Sequence, residues 1–88
     1  MEAPLEVTYR HGQPFAAYYR LPRREGDRVE WSRPCEAGLV VDFTADGRPI
    51  GIEITEPSRT DVATFNRLLL SLGLDPVEAS VLAPLSAA

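Results

Sequence analysis

The sequence contains no lysine, and it has only one cysteine (Cys35) and one histidine (His11). A single cysteine excludes an internal disulfide and a cysteine-based zinc site. We expect Cys35 to pack as a small, partly buried apolar residue, because free cysteine usually behaves as a hydrophobe. A nucleophilic role would require a nearby base, and nothing in the sequence brings His11 to Cys35.

Long apolar runs are also missing. No stretch approaches the roughly 20 apolar residues that a membrane-spanning helix requires. The first ten residues lack a basic region followed by an apolar stretch, so we expect no signal peptide. A cytoplasmic location is the expectation that follows.

Acidic residues outnumber basic ones, and the formal net charge is −4. Residues 1–35 carry six arginines against five acids, whereas residues 36–88 carry three arginines against eight acids. Binding to a nucleic-acid backbone requires clustered positive charge, which this balance does not favour. An acidic second half suits a basic protein partner instead.

The length of 88 residues predicts one domain that spans residues 1–88. Within residues 5–56, apolar and polar residues alternate with a period of two, and β-branched and aromatic residues are frequent, as is typical of half-buried strands. Turn-forming residues separate the segments. The predicted strands are residues 4–10, 15–21, 28–33, 39–43 and 49–55.

The periodicity becomes helical after the fifth strand and predicts an amphipathic helix over residues 58–73. Ser58 is its predicted cap, with Asp61 as capping-box partner, and Gly73 ends it. A short second helix is predicted over residues 75–83, capped by Asp75, followed by a frayed tail over residues 84–88. The fold class is therefore α+β: an antiparallel β-meander of four to five strands, covered on one face by a C-terminal helix.

The segment Asp42–Glu53 matches the ligand spacing of a calcium-binding EF-hand loop. Asp42, Thr44 and Asp46 occupy ligand positions, Gly47 is sixth, and Glu53 is twelfth. An EF-hand loop lies between two helices, whereas both flanks here are β-branched and strand-like. We therefore expect no metal and predict a polar face on which Asp42 and Glu53 are diagonal neighbours exposed to solvent.

The favoured interpretation of this segment is a β-hairpin with a two-residue turn at Asp46-Gly47. This register makes every cross-strand pair on one face apolar, and a slip of one residue would lose the match. The predicted pairs are Phe43–Ile50, Val41–Ile52 and Leu39–Ile54.

Sequence patterns typical of catalysis are absent. The carboxylates Asp42, Asp46 and Glu53 would need a cleft that separates their pKa values, and a small hairpin surface rarely provides one. His11 has no placed partner for a catalytic triad. We therefore predict no enzymatic activity, no catalytic or cofactor-binding residues and no cofactor.

Aromatic residues and arginines are both concentrated in the first half of the sequence, which gives the strongest argument for nucleic-acid binding by base stacking. The favoured alternative is that the aromatic residues fill the core and the arginines guard the edges of the sheet. The aromatic residues are Tyr9, Phe15, Tyr18, Tyr19 and Trp31, and the arginines are Arg10, Arg20, Arg23, Arg24, Arg28 and Arg33.

Residues 5–56 resemble the small bacterial family catalogued as domain of unknown function 2283. The resemblance is carried by Tyr9, by AAYYRL in residues 16–21, by VDF in residues 41–43 and by ADGRPIGIEI in residues 45–54. Two departures are the short HGQP loop and the helical C-terminal region. The resemblance implies an antiparallel sheet with no established activity or cofactor, and members that accompany small toxin-like proteins.

Taken together, these patterns predict a non-catalytic protein-interaction module of an antitoxin-like or adaptor kind. It would bind itself, as a homodimer or other homo-oligomer, or a basic partner. The broad apolar stripe of the helix, with consecutive Leu68, Leu69 and Leu70, offers surplus surface for such contacts. The alternative is a nucleic-acid or small-ligand binding domain that uses the aromatic and arginine-rich strands.

Overall fold

The computed structural model describes residues 4–86 and has an α+β fold, as predicted. A single α-helix and three short 3₁₀ helices accompany an open five-stranded sheet in these residues. The strands are β1 (Leu5–Arg10), β2 (Gln13–Arg20), β3 (Trp31–Pro34), β4 (Leu39–Phe43) and β5 (Pro49–Ile54), and the α-helix is α1 (Val62–Ser71). The 3₁₀ helices are Glu36–Gly38, Pro57–Arg59 and Ala79–Ser86.

All neighbouring strands are antiparallel, but their order is β1-β2-β5-β4-β3 rather than a simple meander. The predicted meander is wrong at one connection, because β2 lies beside β5 and residues 21–30 carry the chain across two strands to β3. The order places β5 at the centre, where Ile50, Ile52 and Ile54 are fully buried. A central position suits the strand with the most β-branched apolar surface.

The β4–β5 hairpin is confirmed, with Leu39 opposite Ile54 and Val41 opposite Ile52. Its turn differs from the prediction. Thr44 N–H donates to Arg48 O and Gly47 N–H to Thr44 O, both at 3.0 Å, so the loop has three residues, and Gly47 has a positive φ of 87°. This is a type I turn followed by a bulge. Nearer the strands, a bulge leaves Ile50 of β5 without a partner on β4, so Phe43 faces Pro49 and not Ile50.

The inner face of the sheet packs against α1 to form the core. Phe65, Leu68 and Leu69 of α1 are buried there, whereas Leu70 is 61% exposed. The helix begins later than predicted. Asp61, and not Ser58, is the cap, because its carboxylate accepts a 2.8 Å hydrogen bond from Thr64 N–H. An Asp at this position satisfies a free amide of the first turn.

The C-terminal end of α1 has the predicted glycine cap. Gly73 has a φ of 77°, its N–H donates to Leu70 O, and Leu74 N–H donates to Leu69 O. This pair of bonds is the Schellman motif, in which glycine adopts the left-handed conformation without steric cost.

The C-terminal segment differs from the predicted short helix over residues 75–83. Residues 74–78 have no regular structure, and a 3₁₀ helix follows over Ala79–Ser86. The prediction of a frayed tail from residue 84 is wrong for residues 84–86, because Leu85 is buried in the core with Leu82. Residues 87 and 88 lie outside the described part of the chain. The spacing of the two leucines buries one side of the segment against β1 and β2.

A bidentate ion pair anchors the long β2–β3 connection to the hairpin loop. Arg48 Nη1 and Nη2 donate to the two carboxylate oxygens of Asp27 at 2.6 and 2.9 Å, and Arg24 N–H donates to the same carboxylate at 2.7 Å. The hydrogen bonds from Arg48 and Arg24 lower the pKa of Asp27 to about 2.

Among the described helices, none is long and apolar enough to cross a membrane.

Candidate functional site

The face of the sheet opposite α1, here called the outer face, carries a connected set of polar side chains. Strand alternation places alternate residues there. The core cluster, including its helical residues, lies on the inner face. A groove of about 360 Å³ runs along the outer face. The outer-face residues used below are Glu6, Thr8, Tyr18, Arg20, Ser32, Asp42, Gly51 and Glu53.

Asp42 of β4 is the centre of this set. Its Oδ2 accepts a hydrogen bond from the Tyr18 hydroxyl at 3.1 Å, and its Oδ1 accepts one from the Ser32 hydroxyl at 2.6 Å. The residue is only 4% exposed, so the prediction that Asp42 belongs to a solvent-exposed acidic face is wrong. A buried carboxylate requires such donors, because burying a charge without partners is costly.

Gly51 explains how Tyr18 reaches Asp42. Gly51 lies on β5, directly opposite Asp42 and diagonally adjacent to Tyr18 of β2. Because Gly51 has no side chain, the tyrosine ring lies across β5 and its hydroxyl contacts β4. A Cβ atom at Gly51 would overlap the Tyr18 hydroxyl and lie 3.0 Å from Cε1 of the ring. A glycine inside a strand often marks such a close approach.

Arg23 extends this hydrogen-bond network beyond the Tyr18 hydroxyl. Its Nη2 donates to the Tyr18 hydroxyl oxygen at 2.6 Å, and its Nε donates to Ile50 O at 3.0 Å. The Tyr18 hydroxyl therefore accepts from a guanidinium while it donates to Asp42. Burial, and then the negative charge of Asp42, raise the pKa of Tyr18, which keeps its hydroxyl protonated and able to donate.

Glu53 is the second carboxyl group of the site, as the predicted diagonal pairing with Asp42 indicates. A hydrogen bond with Asp42, followed by burial and the charge of Asp42, raises the pKa of Glu53. Among residues 4–86, no arginine lies within ion-pair distance of Glu53, whereas Glu6 contacts Arg20 at 3.5 Å. Glu53 is therefore a carboxyl group next to another carboxylate, and no arginine of the described residues forms an ion pair with it.

The raised pKa of Glu53 predicts a dependence of stability on pH. A carboxyl group that binds its proton more tightly in the folded state contributes stability at low pH, and that contribution is lost as the pH rises through the folded pKa. This loss of stability begins near pH 4.5, the ordinary pKa of a glutamate side chain, and we expect Glu53→Gln to remove it. At pH 7 the variant should be more stable by up to about 1 kcal/mol, since like charges on neighbouring strands repel.

Urea unfolding at intervals between pH 4 and 8 measures this effect. Glu78→Gln is the matched control, because Glu78 is exposed in the C-terminal segment and does not line the groove. Its unfolding free energy should follow the wild-type curve. A Glu53→Gln variant that is less stable than the wild type at pH 7 would contradict the proposed repulsion.

The residues of the EF-hand-like segment do not converge on one point. Asp42 binds Tyr18 and Ser32, whereas the Thr44 hydroxyl donates to the Asp46 carboxylate inside the turn. That hydrogen bond lowers the pKa of Asp46. Within residues 4–86, no three His, Cys, Asp or Glu side chains are grouped so that they could hold a metal ion.

The strand order separates the aromatic residues. Trp31 stacks on Phe43 with 4.2 Å between ring centroids, and Phe15 lies on β2, which β5 and β4 separate from the strand of Trp31. Tyr19 points into the core and makes an edge-to-face contact with Phe65 at 5.1 Å. No continuous stacking platform forms from these residues.

Most arginines of the first half have partners inside the domain. Arg20 and Arg28 pair with glutamates, and Arg23 binds Tyr18. Arg10 lies 4.0 Å from the centroid of Phe15, and Arg33 lies 5.2 Å from that of Phe43. This distribution agrees with arginines that pack against the sheet and its edges.

The cysteine and histidine lie far apart in the strand order. Cys35 follows the edge strand β3 and packs partly buried against the core, as predicted. His11 is exposed in the turn that joins β1 and β2, at the other side of the strand order from β3.

Sequence reasoning missed Tyr18, Ser32, Arg23 and Gly51 as parts of one site. The signal that could have indicated this site is Gly51 in the middle of an otherwise β-branched strand.

Comparisons of the chain with protein-family models, with curated proteins and with solved structures find no match.

Proposed function

We propose that this protein is a non-catalytic interaction module whose outer face binds a basic surface of a protein partner. The observation that supports the proposal is Glu53, a carboxyl group beside the buried Asp42 that has no neighbouring arginine within residues 4–86. An arginine or lysine from a partner would pair with Glu53 and relieve its repulsion from Asp42. Binding would therefore lower the pKa of Glu53 back towards its ordinary range.

The groove on the outer face has the shape for such a contact. It is lined by Glu6, Thr8, Tyr18, Asp42 and Glu53, so three carboxyl groups and one aromatic ring lie along it. An extended basic side chain could place its methylene groups on the tyrosine ring and its charge on Glu53. The antitoxin-like or adaptor role, and the resemblance to domain of unknown function 2283 on which it depends, remain predictions.

Fluorescence anisotropy with a labelled nine-residue arginine peptide tests the proposal. We expect weak binding at low salt that falls as salt increases, because exposed charges are screened. Loss of one exposed ion pair at Glu53→Gln should weaken binding about three- to fivefold. Glu78→Gln, which changes the same charge outside the groove, should bind like the wild type.

Two results would contradict the proposal. Equal losses of peptide affinity in the two variants would mean that the peptide is attracted by the overall negative charge of the protein. No loss of affinity in either variant would mean that the peptide binds outside the groove.

A labelled single-stranded RNA tests the alternative function in the same assay. We expect it not to bind, since five of the six arginines in the first half have partners within the domain.

A further inference from the structure

The strand β1 forms one edge of the sheet, and its outward side has no strand beside it within residues 4–86. Six residues make it the longer of the two edge strands, since β3 has four and ends in Pro34. The irregularity between β1 and β2 leaves Phe15 of β2 without a partner, so β1 itself remains unbroken. Proline, bulges and short length normally protect edges from pairing, and β1 has none of these.

The backbone of β1 determines which residues can pair outward. Arg20 N–H donates to Pro4 O at 2.8 Å, so the even-numbered residues of this segment direct their polar backbone groups towards β2. Leu5, Val7 and Tyr9 must therefore direct theirs towards the open edge. If two copies pair antiparallel about a two-fold axis, odd-numbered residues have to face odd-numbered residues.

Among the registers that satisfy this condition, the one centred on Thr8 is complementary to itself. It places Glu6 opposite the partner's Arg10, Val7 opposite the partner's Tyr9, and the two copies of Thr8 opposite each other. Opposite charges, a β-branched residue with an aromatic residue, and paired threonines are all favourable cross-strand pairs. The allowed register centred on Val7 instead places Glu6 opposite Thr8 and leaves Arg10 without an acid.

The side chains that this pairing uses are accessible. The Glu6 side chain is 62% exposed and Tyr9 is 51% exposed, and Thr8 and Arg10 are also exposed. Tyr9 shares the inner side of the strand with Val7 but extends past the core. A second copy would cover part of the Tyr9 ring with Val7.

We propose that two copies of this chain pair antiparallel through their β1 edges in the register centred on Thr8, forming a continuous ten-stranded sheet. The inference goes beyond the proposed function, because it concerns pairing at the edge of the sheet, although Glu6 and Thr8 also line the groove. The two outer faces would then lie side by side and offer two grooves to one partner. The interface is small, so we expect dissociation constants of roughly micromolar or weaker.

Sedimentation velocity over 10 μM to 1 mM protein tests the dimer, and reversal of charge tests its register. Arg10→Glu turns two attractive pairs into two repulsive ones and should weaken dimerisation about tenfold. Glu6→Arg should act similarly. The double variant Glu6→Arg/Arg10→Glu exchanges the charges and should restore dimerisation, which a merely structural effect of either substitution would not do.

Disulfide formation locates the two-fold axis directly. In a Cys35→Ser background, Thr8→Cys would bring two copies of one residue into a non-hydrogen-bonded pair, where Cα atoms about 4.5 Å apart can be bridged. Glu6→Cys is the control, since it would face Arg10. We expect covalent dimers from the first variant only. A monomer at 1 mM, a dimer insensitive to the charge exchange, or equal cross-linking at the two positions would overturn the proposal.

Discussion

Gly51→Ala is expected to lower the free energy of unfolding by about 3 kcal/mol, although it adds a single methyl group. The new Cβ would overlap the Tyr18 hydroxyl, so the ring has to move off β5. Overpacking of this kind costs about 1–3 kcal/mol, and loss of the tyrosine donor from a buried carboxylate adds about 1–3 kcal/mol. A domain of 88 residues has about 4–13 kcal/mol in total, so the loss is large.

The Tyr18→Ala background provides the control, because it removes the ring that the new methyl group would meet. Gly51 does not have a positive φ, so alanine fits its backbone. Without the ring, the same substitution should be neutral or stabilising by about 0.5–1 kcal/mol, because alanine is favoured over glycine inside a strand. Urea unfolding of the four proteins gives the coupling energy. Equal costs in both backgrounds would show that Tyr18 is not the obstacle.

Local patterns in the sequence were sufficient to predict the β4–β5 hairpin and the presence of five strands, although β3 begins at Trp31 and not at residue 28 as predicted. Alternation assigned Leu39, Val41, Ile52 and Ile54 to one buried face, and all four are fully buried. These predictions succeed because burial of one face determines the parity of each strand. The three-residue loop and the bulge at Ile50 were missed, because two-residue and three-residue turns share the same Asp-Gly signal.

The strand order could not be derived in the same way. Residues 21–30 can extend over about 30 Å, whereas neighbouring strands are only about 4.8 Å apart, so this connection permits several orders. Its path depends on non-local contacts such as the ion pair of Arg48 with Asp27. Local sequence patterns do not reveal this pair, because the two residues are 21 positions apart. The apolar pattern therefore predicted the layers of the fold but not the neighbours of each strand.

The candidate site depends on that order. Asp42 is buried because β2 and β3 lie on either side of the central hairpin and supply Tyr18 and Ser32. In a simple meander β2 would pair with β3, and Tyr18 could not lie across Gly51. The diagonal contact of Asp42 with Glu53 was predictable because both residues belong to the hairpin, whereas their environment was not.

Phe65→Ala should be the most damaging single substitution in α1, at about 3–5 kcal/mol. Phe65 is fully buried and makes its edge-to-face contact with Tyr19 of β2, so it connects the helix to the sheet. Truncation to alanine would leave a cavity at this contact. Urea unfolding measures the loss, and a variant too unstable to purify can be replaced by Phe65→Leu, for which we expect about 1–2 kcal/mol.

Leu70→Ala is the matched control in the same helix. Leu70 is 61% exposed, and alanine favours the helix at least as well as leucine, so its unfolding free energy should change by less than about 0.5 kcal/mol. A substantial loss at Leu70 would mean that the exposed side of α1 is covered in solution. The contrast between the two positions thus tests which side of α1 faces the sheet, and a change at Leu70 that grows with protein concentration would identify self-association through the helix.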